Sequence, residues 1–345
     1  MNRPARYARA VPRLRAMKAR LLQREALREV MLSPTYEEAL TLLRDTPYQA
    51  ITAASSPSTI QAVALGIFAE RALRARKMLP EEAHPVVDAF MREEEARDVL
   101  AILRSIYEGR TLPYIPTASV EGTLAWRIRR DPDILVSTQR LAEFLDRTWM
   151  KPYARLALRL AQEARSPEPI TWASLPASLG EYSRAVEPFG GADRRGLEAV
   201  LCPYIEYKAA ASLVNAKMIG IPPRAIARLL EAREACGIPW AELRQVYERE
   251  PGPQEVLYSL RELLPQLRVD TKLPLSQALE QARREALSRS GRAAQAAFGG
   301  YPFTPVLAAA ALMLAKIEMI NVTTILTGIR ARLKPDEIGE LLITY

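Results

Sequence analysis

Three glutamates, Glu95, Glu206 and Glu318, fall 111 and 112 residues apart, and twenty residues after each stands an isoleucine: Ile115, Ile226 and Ile338. Recurring carboxylates could gather as a di-metal centre or act as general acid and base. A di-metal site in a helical bundle requires Glu-x-x-His pairs, and none of the three has a histidine at that spacing. His84 is the only histidine in the chain and precedes Pro85 in an expected turn, so it reads as a surface or cap residue. A Ser-His-Asp or Cys-His arrangement would have to be built on it, and a metal site would have to rely on carboxylates. No GxxxxGK[ST] phosphate loop occurs, and Gly190-Gly191 and Gly299-Gly300 lack dinucleotide-fingerprint spacing and read as loops. The expectation is no catalytic residue, no metal and no cofactor. Each glutamate is read as structural, a carboxylate near a helix end or bend that accepts a backbone N–H or pairs with a base.

The elements that position these glutamates recur with them. Behind each lies an apolar stripe at i, i+3, i+4 spacing: Val99/Ala210/Val322, Ile102/Leu213/Ile325 and Leu103/Val214/Leu326. Asp98 and Asn321 share an offset at which the middle copy has Ala209. Gly109 and Gly220 sit where a helix would end on a left-handed residue, and Pro113, Pro223 and Pro335 follow where a second helix could open. Each copy reads as a helix, a tight turn and the start of another helix. The period exceeds that of a solenoid and suggests triplication of a small helical domain. The expected repeats are residues 1–117, 118–228 and 229–345.

Composition agrees with an all-α protein. Hydrophobic residues make up 49% of the 345, β-branched runs are few, and most of the 26 prolines stand where helices would start or stop. The net charge of +8 is concentrated: residues 1–30 hold nine Arg or Lys against Glu25 and Glu29. Arg9, Arg13 and Arg20 cluster there and could meet phosphates, lipid headgroups or an acidic protein; a solvated helix face is the plainer reading. The segment is Arg-rich like a transit peptide, but Leu14, Met17 and Leu21 continue a helical pattern, which makes it part of the fold. The longest apolar run, Val306 to Ala315, has the length of a core helix rather than of a membrane span. Cys202 and Cys236 are too few for a disulfide framework, which points to a reducing, cytoplasmic setting. The sequon at Asn321 is then incidental.

The segment TPVLAAAALMLAKIEMINVTTILTGIRARLKPDEIGELLI resembles the C-terminal signature of the C subunits of archaeal and bacterial V/A-type ATPases, the counterparts of the eukaryotic V-ATPase d subunits. Lys316, Glu318, Asn321, Ile325 and Gly328 fall on that pattern, and YARAVPRLRAMKARLL and TLLRDTPY are similar to earlier parts of the family. The tyrosine usual before the last motif is replaced within an alanine-rich run, and Lys217 interrupts an apolar position held by Ile106 and Ile329. The resemblance implies three similar all-helical domains around a pseudo-threefold axis, forming a funnel on the cytoplasmic face of the membrane. It implies a non-catalytic rotor component, one copy per complex and monomeric when isolated. Its partners would be the axle subunits and the proteolipid ring, with no nucleic acid and no small-molecule substrate. Arg9, Arg13 and Arg20 are candidates for contact with the ring or headgroups. The alternative is a helical adaptor or RNA-binding protein using the basic first helix; RNA binding usually adds stacking rings, and residues 1–30 offer only Tyr7.

Overall fold

In a computed structural model that describes residues 3–230 and 235–345, every regular element among those residues is an α-helix or a 3-10 helix. The three glutamates lie on the three longest helices, His84–Tyr107, Gly191–Met218 and Pro305–Arg330, referred to below as the first, second and third motif helix. All nine stripe positions named above are buried. The second motif helix carries Pro203 in its interior, an exception to the boundary placement expected of the prolines.

The three helices end in the same way. Arg110, Ile221 and Leu333 each donate a backbone N–H to the carbonyl five residues back, on Ser105, Ala216 and Gly328, at 2.9, 2.9 and 3.0 Å. The preceding residue in each case has a left-handed backbone: Gly109 (φ 64°), Gly220 (φ 70°) and Arg332 (φ 60°). This pairing of a 6→1 bond with a left-handed residue is the Schellman cap. Beyond it, Pro223 and Pro335 open the helices Pro223–Leu230 and Pro335–Leu341. The first copy departs from the expected second helix: residues 110–115 are irregular and a 3-10 turn follows at Pro116–Ser119. The backbone N–H and hydroxyl of Thr117 are both taken by Asp98, and Pro113 and Pro116 remove two further donors from the segment.

Residues 1–87 and 287–345 make one compact unit and residues 88–286 the other. In the first unit the third motif helix is central. The helices Ala10–Ala19, Arg24–Met31, Tyr36–Leu42, Pro57–Arg76 and Pro335–Leu341 all pack on it. Ala308, Ala309, Ala310 and Ala311 have no exposed surface, and four small side chains in succession let neighbouring backbones approach closely. This helix is long and apolar enough to cross a bilayer. It is nonetheless buried without a break from Pro305 to Met319, including Lys316 and Glu318. In the second unit the second motif helix packs against Ser174–Val186 and Pro253–Leu263.

The second unit also corrects an expectation. Cys202, on the second motif helix, and Cys236 form a disulfide. Their Cα atoms lie 5.5 Å apart, inside the range that a disulfide spans, although 34 residues separate them in sequence. Cysteine count therefore does not establish a reducing compartment for this chain.

Candidate functional site

Each motif glutamate sits well inside its helix rather than near an end, and each reaches a backbone amide outside that helix. Glu95 Oε1 accepts the N–H of Leu124 at 2.8 Å. Leu124 is the first residue of the Leu124–Arg129 helix, so its N–H has no partner within that helix. Glu206 Oε2 accepts from Gln266 at 2.7 Å, in the connection after Pro253–Leu263. Glu318 Oε1 accepts from Leu22 at 2.8 Å, between Ala10–Ala19 and Arg24–Met31, and its other oxygen pairs with Arg71. A hydrogen bond to a charged group contributes about 1.5–3 kcal/mol. Each carboxylate thus pins one connecting segment to the middle of a long helix.

Three residues further along each helix, the second position behaves according to its side chain. Asp98 holds Thr117 through its backbone N–H at 2.8 Å and its hydroxyl at 2.6 Å. Asn321 makes a reciprocal pair with Ile343, donating to its carbonyl and accepting from its N–H, both at 2.9 Å. Ala209, buried in the second copy, has no polar atom with which to do either. Ile115, Ile226 and Ile338 are buried in all three copies. In the third, a Cβ on Gly328 would come within 2.8 Å of Ile338, so the absence of a side chain there admits the isoleucine.

Burial governs the protonation of these groups. It pushes the Glu95 carboxyl up to about 7, opposed by the hydrogen bond from Leu124 and the charge of Arg92. Glu318 and Asp98 are also raised by burial, held back chiefly by Arg71 and by Thr117 respectively.

One polar cluster was not evident from the pattern. Glu93 accepts from the hydroxyls of Tyr182 and Tyr204, both at 2.7 Å, and pairs with Lys208 at 2.7 Å. Arg92 beside it pairs with Glu181 at 2.6 Å. The signal was present in the three consecutive glutamates from Glu93 and in Lys208 within an apolar helix. Sequence spacing scatters Glu93, Glu94 and Glu95 around the helix, yet all three are buried, while Arg97 on the same helix stays exposed. Among the described residues no group of three or more His, Cys, Asp and Glu is placed to hold a metal ion. His84 begins the first motif helix, its Nε2 3.1 Å from the Leu79 carbonyl oxygen.

The basic segment forms the Ala10–Ala19 helix, which buries Ala10, Val11 and Leu14 and leaves Arg9, Arg13 and Arg20 exposed at and beyond its ends and on its outer face. Arg13 and Arg20 line one cavity; Arg9 does not. Tyr7 is buried and offers no ring for stacking.

Residues 10–341 match a family model described as the ATP synthase (C/AC39) subunit. A comparison with curated proteins gives no match.

Proposed function

The chain belongs to the ATP synthase (C/AC39) subunit family, and from that membership we propose that it is a non-catalytic rotor component, a socket joining the central axle of a V/A-type ATPase to its membrane proteolipid ring. The observation that carries this reading is the family match along almost the whole chain. The three motif helices support it. A part that transmits torque must resist twisting, and each long helix is tied at mid-length to a distant segment by a buried carboxylate. The common caps and anchors also favour three internal repeats, which we assign to residues 1–117, 118–228 and 229–345 and infer to be arranged about a pseudo-threefold axis. The placement inferred is the cytoplasmic face of the membrane, with one copy per complex.

Affinity purification of the tagged protein from native membranes in mild detergent, followed by mass spectrometry, tests the role. Recovery of proteolipid and axle subunits with about one copy of this chain per complex is the expected result; unrelated soluble partners or RNA without ATPase subunits would overturn it. Arg9, Arg13 and Arg20 are assigned to ring or headgroup contact on their exposure and clustering. Replacing all three by glutamate should release the chain from the membrane fraction, and unchanged membrane retention would refute that assignment. The burial of Tyr7 disfavours the RNA-binding alternative, because single-strand recognition relies on accessible rings.

A further inference from the structure

We infer that the first unit carries a binding pocket for one anionic phospholipid, between the Ala10–Ala19 helix and the end of the Pro57–Arg76 helix. The cavity measures about 520 Å³ and has five cations in its wall, Arg13, Arg20, Arg71, Arg74 and Lys77. No acidic residue lines it. Its remaining surface is mostly apolar and includes Leu14, Met17 and Met78. Both sides bring both kinds of group, Arg13, Arg20, Leu14 and Met17 from one and Arg74, Lys77 and Met78 from the other, so the cavity offers cations to a phosphate and apolar surface to the first methylenes of an acyl chain.

Two of the cations already have acidic partners outside the cavity. Arg71 pairs with Glu318 through Nη1, and Arg74 with Glu70 at 3.1 Å on the exposed surface. Nη2 of Arg71 is closed off from solvent beside Tyr48, so the positive charge offered to the cavity rests mainly on Arg13, Arg20, Arg74 and Lys77.

Size and chemistry select the occupant. The volume lies within the usual 300–1,000 Å³ of small-ligand sites, enough for a headgroup and the start of a chain. An amphipathic helix would instead need a long groove. Inorganic phosphate would leave the apolar surface uncovered. The surrounding surface adds attraction, since residues 1–30 carry nine basic residues and two acidic ones.

The purified full-length chain should be titrated calorimetrically with dihexanoylphosphatidylglycerol below its micelle concentration. Dihexanoylphosphatidylcholine, inorganic phosphate and an acidic amphipathic peptide serve as competitors of different chemistry. The anionic lipid should bind at least tenfold more tightly than each of the other three. The exposed pair Arg74→Glu and Lys77→Glu should weaken it at least tenfold, and so should Met17→Glu in the apolar part of the lining, with unchanged circular dichroism as the control for folding. Equal affinity for phosphate would reduce the pocket to a simple anion site, equal affinity for the neutral lipid would remove the role of charge, and preference for the peptide would make it a protein-docking site; each outcome overturns the inference. Unaltered lipid binding by both variants overturns it as well. Because the assay uses the isolated chain, its failure leaves the rotor role standing, and failure of the membrane purification leaves the pocket standing.

Discussion

At the scale of single residues, the Glu95 carboxyl combines a fixed structural task with an unfavourable electrostatic setting. Burial raises it to about 7, above its ordinary value of 4.5, so between those pH values the folded protein holds a proton that the unfolded chain has released. Stability from this group is therefore greatest at low pH and falls as pH rises through that window, levelling off above about 7. Glu95→Gln keeps a carbonyl acceptor for Leu124 and removes the charge. Urea unfolding should show the variant gaining on the wild type by up to roughly 3 kcal/mol between pH 5 and pH 8. Parallel pH profiles for the two proteins would exclude this account. The glutamates themselves are legible in sequence because type and spacing repeat, and Asp98 and Asn321 stand out as equivalents for the same reason. Their partners are not legible: 29, 60 and 296 residues separate each glutamate from the amide it holds, and no local pattern records such a distance.

At the scale of elements, the most informative comparison is among the three helix ends. Two are marked by Gly109 and Gly220, but the third uses Arg332 in the same left-handed conformation, which costs a residue with a side chain about 1–2 kcal/mol. Reading glycine as the signal finds two caps and misses the third; the hydrogen-bond pattern shows all three. Arg332→Gly should stabilise the protein by about 0.5–1 kcal/mol, and Gly220→Ala should destabilise it by about 1 kcal/mol, read as opposite shifts in the urea midpoint. Shifts of the same sign would mean that the caps are not equivalent. The missing second helix of the first copy has a different cause. Proline is compatible with either a helix start or an irregular stretch of chain, and Asp98 decides between them by capturing Thr117 from a neighbouring turn. The long helices and their buried stripes were readable because 3.6-residue periodicity over twenty or more residues is a strong signal.

At the scale of the whole molecule, the second unit is closed by a covalent link. Joining Cys202 to Cys236 restricts the unfolded chain across 34 residues, which by loop entropy is worth up to about 3–4 kcal/mol. Thermal scans with and without reductant should differ accordingly, and Cys202→Ser should match the reduced wild type and lose its response to reductant. An unchanged midpoint on reduction would show that the link adds no stability. Two cysteines look too few to matter when only counted, because pairing depends on proximity, which a count cannot supply. The division of the chain into units was also hidden, since compactness joins residues 1–87 to 287–345 across the whole intervening sequence.

That joining of the two ends bears on synthesis. A ribosome completes residues 88–286 before it has made the third motif helix, so the second unit has all of its own chain available while the first does not. The helices from Ala10 to Arg76 must wait for Pro305–Arg330, more than two hundred residues later, and at about 5–20 residues per second the delay is on the order of tens of seconds. Throughout it their apolar faces lack the helix that covers them. These early helices are thus late to mature, and the newborn chain is a natural client for chaperones until the third motif helix emerges.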